Sequence, residues 1–138
     1  MIEVPLALHI PDGFLSGPVA VIAFVPTVAA IAVALRVAET ELDDARVPLL
    51  GVVGAFIFAA QMLNFPIAGG ASGHFLGATL AAVLLGPWLA SLVMAVVLAI
   101  QAFGFADGGI LALGANVLNM GCWARCSQGC CSARRFGR

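Results

Sequence analysis

Charged side chains divide the chain into long uncharged stretches. Between Asp12 and Arg36 lie 23 residues without Asp, Glu, Lys or Arg, and between Arg46 and Asp107 lie 60. A helix crossing the hydrocarbon core of a bilayer needs roughly 20 mostly apolar residues, so these stretches hold about one span and about two to three spans. A soluble protein with a very apolar core would still show polar outer faces on its helices. The segment 47–106 supplies almost none. The pattern predicts an all-α, polytopic transmembrane helical bundle of about four to five spans.

Breakers set the expected boundaries. The first span is expected over Pro18–Leu35, opened by Gly17-Pro18, with Pro26 kinking it from inside. Arg36–Arg46 reads as a hydrophilic loop, and Pro48 suits the first turn of a second span over Val47–Leu63. Gly51 and Gly54 offer close helix contact on that span, and Gln61 and Asn64 lie at its far end. The run Phe65–His74 is too rich in Gly and Pro for regular structure. The apolar stretch Phe75–Phe103 is either one long span kinked at Gly86-Pro87 or two helices, one ending at Leu85 and one running from about Trp88 to Phe103; the strength of the Gly-Pro breaker favours two. The Gly73/Gly77 spacing suits a short, closely packed first piece. A polar turn at Gly104–Gly109 precedes a last apolar run, Ile110–Gly121, whose Asn116 and Asn119 need partners inside a bundle.

Composition narrows the function classes. The 138 residues are 62% hydrophobic and 9% charged, against roughly 25% charged in a soluble domain, and the mean hydropathy is +1.11. Six Arg, no Lys and seven acids leave a net charge of −1, which excludes a basic nucleic-acid binder. Without Lys there is no phosphate loop ending in Gly-Lys-Ser/Thr. Asp107 stands alone in the membrane part, so paired carboxylates for acid–base chemistry are missing and no enzyme is expected. Met1–Leu8 carries no signal-peptide pattern. The positive-inside rule counts Lys and Arg; the 36–46 loop has two Arg and the N-terminal segment none. That places the loop in the cytoplasm and both His9 and His74 on the external side.

These two histidines are the only ones in the chain. A lone His is more often a satisfied side chain than a ligand, but two on one membrane face become candidate partners, and imidazole suits Zn, Cu, Ni and Co. Cys122, Cys126, Cys130 and Cys131 form a second conceivable metal-binding run. They share the tail 122–138 with four of the six Arg, an abrupt compositional break that is expected from a frameshift near Gly121, making the tail non-native.

Five ordered blocks carry a resemblance: His9-Ile-Pro-Asp-Gly-Phe-Leu15, Gln61-Met-Leu-Asn-Phe-Pro66, Gly69-Gly-Ala-Ser-Gly-His74, Leu85-Gly-Pro-Trp88 and Asp107-Gly-Gly-Ile-Leu-Ala-Leu-Gly-Ala-Asn-Val-Leu-Asn-Met-Gly121. Over residues 8–121 the chain resembles the CbiM/NikM family, the substrate-binding membrane components of energy-coupling-factor importers for cobalt and nickel. The resemblance implies a multi-pass protein of a bacterial or archaeal cell membrane, in contact with lipid and not with nucleic acid. Its cargo would be Co²⁺ or Ni²⁺, cobalt for cobalamin biosynthesis being favoured, with no organic cofactor. Its implied partners are a transmembrane coupling subunit, ATPase subunits and a small accessory membrane subunit. The alternatives are a nickel importer subunit or a non-transporting metal-binding fragment.

The resemblance also implies a ligand set. Family members hold the metal through the N-terminal amine, the backbone nitrogen and imidazole of the following His, and a second His in a later loop. Four nitrogens in a plane suit a d8 or d7 ion. Carried over, the imidazoles are His9 and His74, and the amine belongs to Leu8 only if Leu8 is the true first residue. Residues 1–7 are then either an annotation extension or a real one that alters the site. Asp12, Asn64 and Ser72 are candidates to orient the imidazoles, against the plainer readings of a turn at Asp12-Gly13, loop satisfaction by Asn64 and a helix cap at Ser72. Family members continue into further helices after Gly121, so the bundle is expected to be incomplete and to leave Asn116 and Asn119 short of cover.

Overall fold

A computed structural model describes residues 9–63, 65–67, 71–73 and 75–121. The order is α1 (Gly17–Glu41), α2 (Arg46–Gln61), β1 (Phe65–Ile67), β2 (Ala71–Gly73), α3 (Gly77–Leu85) and α4 (Pro87–Phe105), followed by α5 over residues 113–121. The expected helical bundle is what the chain forms. The boundaries differ from expectation in three places, each for a physical reason.

The first span does not end at Leu35. Helix α1 continues to Glu41, because Arg36-Val-Ala-Glu-Thr-Glu contains no breaker and its Arg and Glu are good helix formers, while Ala38 is still buried in the core. The loop is therefore only residues 42–45, and the Asp43 carboxylate accepts the Arg46 N–H that opens α2 (2.8 Å). Pro26 lies inside α1 without ending it. The second difference is in the Gly/Pro-rich run, which is not irregular throughout: β1 and β2 pair antiparallel with Pro66 opposite Ser72. A two-stranded ribbon leaves each strand an outer edge, where the missing proline donor costs nothing. Third, α3 starts at Gly77, so its N-cap position falls on Leu76 and not on Ser72.

The break at Gly86 is as expected. Gly86 adopts φ 85°, ψ 164° between α3 and α4, a region open essentially to glycine alone, and Pro87 then starts α4 where its missing N–H is harmless. The chain consequently reverses: α3 and α4 pack as a hairpin, and α4 also packs against α1 and α2. At a rise of about 1.5 Å per residue, the 19-residue α4 spans about 28 Å, whereas the nine-residue α3 reaches only about 13 Å.

The core is built from small residues. Ala38, Ala78, Ala81, Ala82 and Ala90 share one buried cluster with Ile57, Leu89 and Met94. Lipid tails are as apolar as these side chains, so close van der Waals approach, not exclusion from water, holds such helices together. A methyl group on Gly77 would collide with Ile57, and one on Gly54 would lie 3.3 Å from Val93. Gly51 has no neighbour within 4 Å of that direction, so the close contact expected there is not made; Gly73 belongs to β2.

Candidate metal centre

Three chain segments converge at one end of the bundle. The segment 9–16 leads into α1 there, α2 ends there, and α4 hands over to α5 through residues 106–112. The end of α2 meets the end of α4 through the Phe58 and Phe105 rings, 5.3 Å apart, and through a Gln101 Nε2 to Gln61 Oε1 hydrogen bond of 3.1 Å. The ribbon that follows α2 therefore departs from the same end of the bundle that holds His9.

His9 is fixed by its neighbours. Asn116, 5% exposed on α5, binds the backbone of the next residue from both sides: the Ile10 N–H donates to Asn116 Oδ1 (2.9 Å) and Asn116 Nδ2 donates to the Ile10 carbonyl (3.1 Å). The Gly109 N–H donates to that same carbonyl (2.9 Å). Two residues on, the Asp12 carboxylate accepts the N–H groups of Ile110 (3.1 Å) and Leu111 (2.8 Å) in the turn that opens α5. Segment 9–12 is thus strapped to loop 109–111 by backbone groups that would otherwise need water. Close approach is possible because Gly108 (φ 96°) has no side chain; a Cβ there would lie 3.1 Å from the His9 Cβ.

The imidazole itself is 2% exposed. Its Nδ1 lies 3.6 Å from Asp107 Oδ1, longer than a hydrogen bond, so the carboxylate faces the ring across a short gap. Asp107 is positioned by the end of α4: Ala106 turns left-handed (φ 53°), and the N–H groups of Ala106 and Asp107 both point at the Gln101 carbonyl. Among the described residues the charges of this end are Asp12 and Asp107, both acidic.

Of the expected site residues, the structure brings His9 and Asp12 to this end. Asp12 accepts the backbone N–H groups of Ile110 and Leu111. Ser72 lies in β2 opposite Pro66. Leu8, Asn64, His74 and the side chain of Ser72 lie outside the described residues, as do Cys122, Cys126, Cys130, Cys131 and the segments 1–7 and 122–138. No cluster of three or more His, Cys, Asp or Glu occurs among the described residues. Asp107, Gly108 and the Asn116 clamp were not anticipated as parts of the site. Asn116 had announced itself only as a buried amide in need of a partner; that partner is Ile10, and it buries Asn116 within the described chain. Asn119 is exposed.

Comparison with known proteins locates the chain. Residues 9–129 match the family model CbiM, described as the cobalt uptake substrate-specific transmembrane region. A Haloquadratum walsbyi protein provisionally named a metal transport protein is 56% identical over 110 residues, covering 80% of this chain and 50% of that one. The fused nickel transport protein NikMN of Rhodobacter capsulatus is 47% identical over 113 residues, covering 82% and 33%. The cobalt transport protein CbiM of Sorangium cellulosum is 43% identical over 93 residues, covering 67% and 41%. The crystal structure of a truncated transition metal transporter superposes with a TM-score of 0.76 at 44% identity, over 83% of this chain and 53% of that one. The chain spans about half, or less, of the length of the relatives it matches.

Proposed function

The chain belongs to the CbiM family, and from that premise we propose that it is the metal-capturing membrane subunit of an importer for Co²⁺ or Ni²⁺. The observation that carries this reading is His9: a buried imidazole, strapped at one end of the bundle and facing Asp107. A neutral imidazole is a good ligand for both ions, and a ligand held in place by its surroundings binds without first losing its own freedom. The two carboxylates at this end favour the approach of a dication over that of an anion.

In this reading His9, through its imidazole and backbone nitrogen, and His74 supply nitrogen ligands, joined by the amine of Leu8 where Leu8 is the first residue. Asp107 faces the His9 ring, and Asp12 ties the segment that carries His9 to the turn at Ile110 and Leu111. The cargo enters from outside the cell and leaves inward when a coupling subunit and ATPase subunits supply the energy; ATP hydrolysis belongs to them. Cobalt for cobalamin synthesis is the preferred destination, nickel the alternative.

Titration calorimetry of the purified protein with Ni²⁺ and Co²⁺ tests the site. His9→Ala and His74→Ala should each weaken binding by at least tenfold, and acidification should weaken the unmodified protein because proton and metal compete for the same imidazole. Undiminished binding in both variants would remove the site. Metal uptake in cells with and without the ATPase and coupling subunits then separates a transporter from a protein that only binds metal.

A further inference from the structure

Gln61 and Gln101 are both 0% exposed, the most deeply buried polar side chains among the described residues. They face each other from the ends of α2 and α4, joined by one hydrogen bond of 3.1 Å from Gln101 Nε2 to Gln61 Oε1. Among the described residues the remaining donor, Gln61 Nε2, and the remaining acceptor, Gln101 Oε1, have no partner. An amide pair buried among apolar helices and only half satisfied is costly, and polar groups kept at such a cost inside membrane proteins mark function more often than stability.

The place of the pair names that function. Gln61 is the last residue of α2, four residues before the ribbon that leads toward His74. Gln101 bonds twice at the other side: its side chain meets Gln61, and its backbone carbonyl accepts the N–H groups of Ala106 and Asp107. Asp107 in turn lies 3.6 Å from His9 Nδ1. A continuous chain of polar contacts therefore runs from the end of α2 through Gln61, Gln101 and Asp107 to His9.

Building on the metal-capture reading, we propose that Gln61 and Gln101 form a positioning pair that keeps the β1–β2 ribbon leaving α2 and the His9–Asp107 contact in register. The pair sets the geometry of the metal site without touching the metal. Replacing both amides by apolar side chains removes two unsatisfied polar groups at once, so it should spare or raise stability while loosening the site. That combination distinguishes positioning from mere support.

The test compares the unmodified protein with Gln61→Leu/Gln101→Leu in thermal unfolding, Ni²⁺ and Co²⁺ titration, and the visible d–d absorption of the bound ion. The expected result is an unfolding temperature at or above that of the unmodified protein, at least tenfold weaker binding, and a shifted d–d band. Wild-type affinity with an unchanged band overturns the proposal, as does a loss of binding that merely follows a loss of stability. If the Leu pair is not recovered folded, Gln61→Met/Gln101→Met is measured in the same way, and failure of both to fold assigns the pair to stability and overturns it. Absence of metal binding by the unmodified protein refutes the capture reading instead, before any substitution is made.

Discussion

The Asn116 side chain acts toward Ile10 as a neighbouring strand would, accepting from its N–H and donating to its carbonyl. Among the described residues the Ile10 N–H meets only Asn116 Oδ1, whereas its carbonyl is also reached by Gly109. Asn116→Ala should therefore leave one backbone donor stranded, at about 1–3 kcal/mol of stability, and free the segment that holds His9. Thermal unfolding in detergent and Ni²⁺ titration should both register it, the second by at least tenfold. Asn119→Ala, three residues along the same helix but exposed, should change stability by no more than about 0.5 kcal/mol. Equal effects at the two positions would refute the clamp. The need of Asn116 for a partner is legible in the sequence; the identity of that partner is not, since Ile10 lies 106 residues away and only the folded chain brings them together. The same holds for Asp107, which becomes part of the site only once α4 has returned it to His9.

At the scale of elements, the sequence is most legible where residues carry their own conformation. Gly86-Pro87 ends one helix and begins the next because glycine alone suits φ 85°, ψ 164° and proline alone prefers a helix start without a donor. Gly86→Ala should accordingly cost about 1–3 kcal/mol, read as a lower unfolding temperature. Gly104→Ala, within α4 and with nothing inside 4 Å of the added methyl, should be neutral or stabilising by about 0.5–1 kcal/mol. Reversal of that order would mean that the α3–α4 hairpin does not depend on its corner. Legibility fails where polarity is taken for a helix end. Arg36–Glu41 marks where α1 leaves the apolar layer, but Arg, Glu and Ala are good helix formers and the backbone continues unbroken. It fails again at the ribbon, where Gly and Pro signal turns but do not forbid three residues of pairing in each of β1 and β2.

The whole molecule sorts its charge by end. Among the described residues, Asp12 and Asp107 lie at the His9 end, and Arg36, Glu39, Glu41, Asp43, Asp44 and Arg46 lie at the other, with apolar helices between. Two helices, α1 and α4, are long and apolar enough to cross a bilayer, and both connect these two ends. Orientation follows from Lys and Arg near the span ends, acids counting for little, so the end bearing Arg36 and Arg46 should face the cytoplasm. The His9 end should then face outward, where an imported ion is met. This prediction is checked by single cysteines at Phe14, 67% exposed beside His9's segment, and at Asp44 in the 42–45 loop, with Cys122, Cys126, Cys130 and Cys131 replaced by Ser. A membrane-impermeant maleimide should label Phe14→Cys in intact cells and Asp44→Cys only after the membrane is opened. The reverse pattern would put His9 inside the cell, and capture from outside would then fail even if the isolated protein bound metal tightly.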